Sequence, residues 1–252
     1  MKQQDGTQKP RNKVTPRRSN RSASYTSDRP HLDFDVQAAV TQIGKRDPVM
    51  KSLISQVGDF KLAPTAWQST FEALAESIVY QQLTGKAAAT IFGWVKKLFH
   101  EQDFFTPQEI LAASEEQLRS AGLSRAKTLA LKDLALKTSQ GLVPAAEELH
   151  VLNDDEIVKK LVSIRGIGKW TVQMLLIFRL GKPDVLPVDD YGIRKGFALV
   201  YGQAELPKPK ELESFGEIWR PYRTVASWYL WRALELPPDV AAACSRTRRH
   251  RR

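Results

Sequence analysis

The chain has 252 residues, of which 42% are hydrophobic, with one cysteine and a formal net charge of +10. It is long enough for one large domain or two small lobes around a real core, and no run of about 18 apolar residues offers a membrane span. A single thiol, Cys244, excludes an internal disulfide and any four-cysteine zinc or iron–sulfur site within the chain.

The charge is unevenly spread. Residues 1–30 carry eight Lys/Arg and two acids, and residues 246–252 carry five arginines, which leaves 25 basic and 26 acidic residues between them. A polyanion site on the body must therefore be a local patch. Residues 1–30 are rich in Arg, Ser, Thr, Gln and Pro with almost no apolar side chains; this is the composition of a disordered basic arm and too polar for a signal peptide. The folded domain is expected over 31–243, followed by a basic tail over 244–252. Both arms suit sequence-independent attraction to DNA phosphates, solubilisation or nuclear import, and composition does not choose among these.

From Asp33, residues Phe34, Val36, Ala39, Val40 and Ile43 have helical spacing, and Asp47-Pro48 opens a second short helix. Pro64-Thr65 is predicted to start a long amphipathic helix carrying Trp67, Phe71, Leu74, Ala75, Ile78 and Val79, which ends at Tyr80 to Gly85; Lys86 to His100 reads as the next. Ser114 with Gln117 forms a capping box, Ser124 starts a helix closed by Gly141, and Asn153 with Glu156 forms a second box. That helix runs into Gly166-Ile167-Gly168, whose glycines allow a tight hairpin, and a further apolar helix follows through Phe178. Asp189 and Asp190 precede a helix over Ile193 to Tyr201, Glu205 to Pro209 is a loop, and Pro221 to Leu236 is a last amphipathic helix with Val225, Trp228, Tyr229 and Trp231. No alternating strand pattern and no long repeat is present, so the fold class is all-α: two helical lobes with a cleft between them, without an N-terminal β domain.

A Gly-x-Gly pair alone is an ordinary turn, and two acids after Pro187 are ordinarily helix caps. Here the G-I-G-K-W-T run (Gly166 to Thr171) and the P-V-D-D-Y-G-I-R run (Pro187 to Arg194) stand together. Together they resemble the helix-hairpin-helix plus Gly/Pro-rich loop plus Asp motif (HhH-GPD) of the base-excision DNA glycosylase superfamily, most of all its alkylbase branch, the 3-methyladenine DNA glycosylase II type. The Ile78 to Leu83 segment, I-V-Y-Q-Q-L, is similar to the family's I-x-x-Q-Q-L.

The resemblance implies a monofunctional DNA glycosylase that hydrolyses the N-glycosidic bond of alkylated purines in base excision repair. It makes Asp190 the catalytic carboxylate and leaves Asp189 to cap the following helix. Trp170, Met174, Tyr191, Trp231, Tyr80 and Gln81 would form the base pocket; Trp67 is a further candidate, and Trp228 is better read as core. Leu83 would plug the gap left by a flipped nucleotide, with Gln82 as the alternative, and Thr84 would sit beside the opposite base. Gly166, Gly168, Lys169 and Thr171 would hold a phosphate at a helix N-terminus. Arg125 and Lys127 are placed either near DNA or on a solvated face.

Lyase-type relatives carry a nucleophilic lysine at the position held here by Trp170, so no Schiff base is expected. None of the four histidines falls in the motif. The implied cofactor set is empty apart from a monovalent cation at the hairpin, with no other metal site. The expected partner is damaged double-stranded DNA, bound by a monomer, with no membrane. The expected location is the cytoplasm at a bacterial nucleoid, or the nucleus in a eukaryote. Two other classes compete: a bifunctional glycosylase/lyase for oxidised bases, disfavoured by Trp170 and the missing cysteine cluster, and a non-catalytic DNA-gripping module, which would need neither Asp190 nor an aromatic pocket.

Overall fold

The computed structural model describes residues 32–99 and 104–246, so the N-terminal basic arm and residues 247–252 of the C-terminal tail lie outside the described residues, as do His31, His100 and His250. Among the described residues there are fourteen α-helices, a 3-10 turn at Gly216–Trp219 and no strand, in agreement with the all-α expectation. The first helices are α1 (Val36–Arg46) and α2 (Pro48–Val57). Asp47 ends one and caps the other, accepting from the amides of Val49 (3.0 Å) and Met50 (3.2 Å). Its second oxygen takes the Trp219 indole N–H at 3.0 Å and the Tyr201 hydroxyl, which ties the start of the domain to its C-terminal part.

Next come α3 (Thr70–Tyr80), α4 (Gly85–Lys97), α5 (Pro107–Ala112), α6 (Glu115–Ser120) and α7 (Arg125–Ser139). The helix predicted from Pro64 begins only at Thr70. Residues 64–69 are held by distant partners instead: the Thr65 amide donates to the Phe178 carbonyl (2.8 Å), and the Arg179 guanidinium to the Ala66 carbonyl (3.0 Å). Ser69 then caps α3 through the Glu72 amide, and Glu72 returns to the Gln68 amide. Both predicted capping boxes form, Ser114 with Gln117 and Asn153 with Glu156.

The chain continues through α8 (Ala146–Val151), α9 (Asp154–Leu161), α10 (Lys169–Phe178), α11 (Tyr191–Tyr201), α12 (Pro209–Phe215), α13 (Arg223–Ala233) and α14 (Pro238–Ala243). Helices α1 and α2 pack with α11, α13 and α14, whereas α3 to α7 pack on one another and α10 lies against α9 and α3. The α13 segment, predicted to be amphipathic, is buried nearly all round, Trp228 and Tyr229 included. Its polar side chains are consumed by the loop before α11: Thr224 accepts from the Val185 amide (3.0 Å) and donates to the Lys182 carbonyl (2.6 Å), and Ser227 donates to the Val185 carbonyl (3.1 Å). These bonds strap down the loop that delivers Asp190. Gly196 lets α11 and α13 touch, since a Cβ there would lie 2.1 Å from the Leu230 carbonyl oxygen. Cys244, assigned from sequence to the tail, is buried in the core.

Candidate functional site

Between α9 and α10 the chain makes the predicted hairpin. Gly166 has φ 78°, and a Cβ there would stand 3.0 Å from the Ala130 Cβ on α7, so glycine serves both the turn and the close approach. Gly168 caps α10 without any side-chain hydrogen bond, and its missing Cβ faces open space. The first amides of α10 therefore point outward with no side chain on them, the positive end of a helix dipole. Lys169 is exposed beside them.

The hairpin is clamped from α7. Asp133 accepts from the Arg165 amide (2.7 Å) and from Lys137 (2.7 Å), and Lys137 also donates to the Ser163 carbonyl (2.6 Å). Burial alone would raise the Asp133 pKa, but these bonds outweigh it and hold the carboxyl below the usual range. Gln81, at the end of α3, donates its amide to the Gly166 carbonyl (2.9 Å) and lies 3.4 Å from the Thr171 hydroxyl. The Ile164 carbonyl is taken by the Ile167 amide. Protein donors thus reach the carbonyls of Ser163, Ile164 and Gly166 within this turn. Among the described residues no group of three or more His, Cys, Asp or Glu is arranged to hold a metal ion.

Asp190 stands at the N-terminus of α11. One carboxyl oxygen accepts from the Ile193 amide (2.8 Å) and the Trp231 indole N–H (3.0 Å), and the other from the Trp170 indole N–H (2.8 Å). The cap predicted for Asp189 thus belongs to Asp190, and Asp189 is exposed. Trp231 is half-buried and stacked on Phe178, ring centres 5.7 Å apart, while Trp170 remains 44% exposed. A Cβ on Gly192 would lie 3.0 Å from Trp231 Cδ1 and 3.1 Å from Asp190 Oδ1, so this position must stay bare for the pair to meet.

Beside this group opens a cleft of about 570 Å³ lined by Ser77, Tyr80, Gln81, Gln82, Leu83, Trp170, Thr171 and Met174. Of the six residues predicted to form a pocket, Tyr80, Gln81, Trp170 and Met174 line it. Trp231 reaches the site through Asp190. Tyr191 does not line it: its ring is 64% exposed, with the Lys195 ammonium 5.8 Å from its centre. Thr171 is buried against the cleft rather than at the hairpin surface. Trp67 is half-buried against the core and Trp228 packs on Phe60 and Tyr229, away from the cleft. Ser77, one turn before Gln81 on α3, was not anticipated; the i, i+4 spacing to Gln81 is the signal that would have found it.

Leu83 is 38% exposed at the tip of the turn after α3, and Thr84 caps α4. Arg125 is exposed, whereas Lys127 is not on a solvated face. Its ammonium is partly buried and donates to the carbonyls of Val79 (2.8 Å) and Gln81 (2.7 Å), and burial lowers its pKa.

The profile of the HhH-GPD superfamily of base excision DNA repair proteins matches residues 75–221. The chain is 37% identical over 191 residues to DNA-3-methyladenine glycosylase 1 of Schizosaccharomyces pombe, covering 75% of this chain and 84% of that protein. It is similar to the solved structure of an S. pombe 3-methyladenine DNA glycosylase in complex with abasic DNA, with TM-score 0.73 and 36% identity over 80% of this chain and 98% of that one. A DNA-3-methyladenine glycosidase from Bacillus halodurans gives TM-score 0.72 and 34% identity over 81% and 94%.

Proposed function

The chain belongs to the HhH-GPD superfamily of base excision DNA repair proteins, and we propose that it is a monofunctional DNA glycosylase of the DNA-3-methyladenine glycosylase II class, removing N-alkylated purines from duplex DNA. The carrying observation is Asp190, a carboxylate that accepts three N–H bonds, one of them from Trp170, which lines a cleft together with Tyr80 and Met174. Three donors hold the Asp190 carboxyl group in one orientation. That is what a sugar developing oxocarbenium character requires beside C1′.

N-alkylation gives the purine a positive charge. Aromatic faces attract it by about 0.5–2 kcal/mol each, and the C1′–N electron pair leaves with the base, cancelling that charge. Water then adds to C1′, losing a proton, and leaves an abasic sugar and the free base. Leu83 fills the space of the flipped nucleotide and Thr84 lies beside the opposite base. The bare amides at Lys169, Trp170 and Thr171, with the Gly166–Gly168 turn and Lys169, hold a backbone phosphate. The protein acts as a monomer at nucleoid or nuclear DNA.

Trp170 stands where lyase relatives carry lysine. Lys169, one residue earlier, is turned by about 100° around the helix axis, away from the cleft. Strand cleavage is therefore no part of the reaction. The test is incubation with methylated DNA and with 8-oxoguanine DNA, with and without alkali. The reading expects free 3-methyladenine and strand breaks only after alkali; alkali-independent breaks at 8-oxoguanine would refute it, as would binding without any base release.

A further inference from the structure

Besides the indole of Trp170, the side chains of Ser77, Tyr80, Gln81, Gln82 and Thr171 bring hydrogen-bonding atoms to the cleft. What it accepts depends on which of them offer protons and which offer lone pairs. The Trp170 N–H is already spent on Asp190 (2.8 Å). Ser77, Tyr80 and Thr171 carry hydroxyls, which rotate to serve a donor or an acceptor alike. Gln82 is exposed, so its amide can turn over in water. Gln81 has no such freedom.

Both protons of the Gln81 amide are committed to the hairpin. Nε2 donates to the Gly166 carbonyl (2.9 Å) and to the Thr171 hydroxyl (3.4 Å), and an amide nitrogen has two protons to give. A carbonyl can only accept, so turning the amide over would set Oε1 against the Gly166 oxygen and forfeit that bond. The polar atom left to Gln81 for the cleft is therefore Oε1, an acceptor that cannot become a donor. The residue is half-buried, and a base entering the cleft displaces water from this oxygen. Ser77, one turn earlier on α3, gives its proton to the Ala73 carbonyl (2.8 Å) and brings a lone pair to the same cleft.

Purines divide at C6. In adenine derivatives this carbon carries an amino group, which donates; in guanine and hypoxanthine derivatives it carries an oxygen, which accepts. We propose that Gln81 is a specificity-determining residue: its Oε1, oriented by the hairpin, accepts from the C6 amino group of an alkylated adenine and disfavours the C6 oxygen of an alkylated guanine. The proposal rests on the glycosylase reading and adds to it a preference among alkylated purines. Two acceptors brought together both lose their bonds to water and gain none, which is how a hydrogen-bonding site rejects a substrate of nearly the same shape.

The test uses duplex DNA treated with dimethyl sulfate, in which adenine and guanine are both methylated at N3. Enzymatic loss of 3-methyladenine and of 3-methylguanine is followed by chromatography, and each rate is divided by the spontaneous one, which removes the difference in intrinsic bond strength. Wild type should enhance the loss of 3-methyladenine about tenfold or more over that of 3-methylguanine, the scale of one mispaired polar group. Gln81→Met, of similar length but without the amide, should bring the two enhancements within about threefold of each other. Loss of the hairpin anchor alone would lower both rates together and leave their ratio unchanged. Ser77→Ala should keep the ratio within about twofold of wild type, because a hydroxyl serves either base. The two lesions also differ at C2, so free 3-methyladenine and free 3-methylhypoxanthine, which differ at C6, are compared as inhibitors of the wild-type enzyme. The first should inhibit at about tenfold lower concentration, a measurement that stands even if Gln81→Met does not fold.

Equal enhancement of both lesions by wild type would overturn the proposal and leave the glycosylase reading intact, as would equal inhibition by the two free bases. A wild-type ratio in Gln81→Met, with both rates lowered, would make Gln81 an anchor of the hairpin only and overturn the proposal. So would a ratio lost equally in Ser77→Ala. Release of neither base by wild type would strike the glycosylase reading itself, and the proposal with it.

Discussion

Gly192→Ala separates stability from activity at the site. Gly192 is the second residue of α11, and alanine is the better helix former by up to about 1 kcal/mol, so the fold should not suffer from the backbone change. The added Cβ, however, would stand 3.0 Å from Trp231 Cδ1, 3.1 Å from Asp190 Oδ1 and 3.3 Å from Trp231 Nε1. Carbon contacts settle at about 3.5–4.0 Å, so Trp231 or Asp190 must retreat by about 0.5 Å or more. The Trp231 ring is backed by Phe178, and Asp190 is tied to Trp170 and Ile193, so the strain falls on the 3.0 Å bond between them. Stretched by that amount it passes the limit of a useful hydrogen bond. A charge-assisted bond is worth about 1.5–3 kcal/mol, and if it acts on the transition state its loss slows base release by about 10- to 100-fold. The assay is single-turnover release from methylated duplex DNA beside a thermal melt. A melting temperature equal to or above wild type with slowed release is expected; release at the wild-type rate would refute the claim that Trp231 holds Asp190 in place.

Trp170→Phe keeps an aromatic wall and removes one N–H from Asp190, so single-turnover release should fall by about tenfold while binding to abasic-site DNA changes by less than about threefold. Gly168→Ala meets no atom within 4 Å and should fold normally, yet its methyl intrudes where the hairpin would meet a phosphate. DNA affinity measured by titration should therefore drop by about tenfold with an unchanged melt. Tyr229 is buried and its pKa is pushed up to about 12, by desolvation and then by the Asp59 charge. The unfolded chain ionises its tyrosine from about pH 10, so this stabilisation is complete below pH 10 and is lost as pH rises through 12. Denaturant titrations from pH 9 to 12 should show Tyr229→Phe losing about 1–3 kcal/mol less than wild type over that range.

The hairpin, its glycines and both capping boxes were legible because each is written in adjacent or closely spaced residues. The start of α3 was not. Residues 64–69 read as helix by local pattern, but their backbone is satisfied by Phe178 and Arg179, more than a hundred positions away. Helices α5, α8, α12 and α14 span six or seven residues, too few to show a period, although Thr106 with Glu109 carried a capping signal that announces α5. α13 gave no true amphipathic face because the loop before α11 wraps its polar side. Asp189 and Asp190 are indistinguishable as caps in sequence, and only the approach of two indoles tells them apart. Lys127 shows the same limit: a lysine on a helix reads as solvated until the carbonyls it reaches are known.

The central claim is that the Asp190 carboxylate supports bond breaking at a flipped sugar. Its most direct test is Asp190→Asn, compared with wild type in single-turnover release of 3-methyladenine, with affinity for abasic-site DNA measured on the same preparations. The account predicts release slowed by about 100-fold or more with affinity within about threefold. Release by the variant within about threefold of wild type, at unchanged affinity, would contradict it.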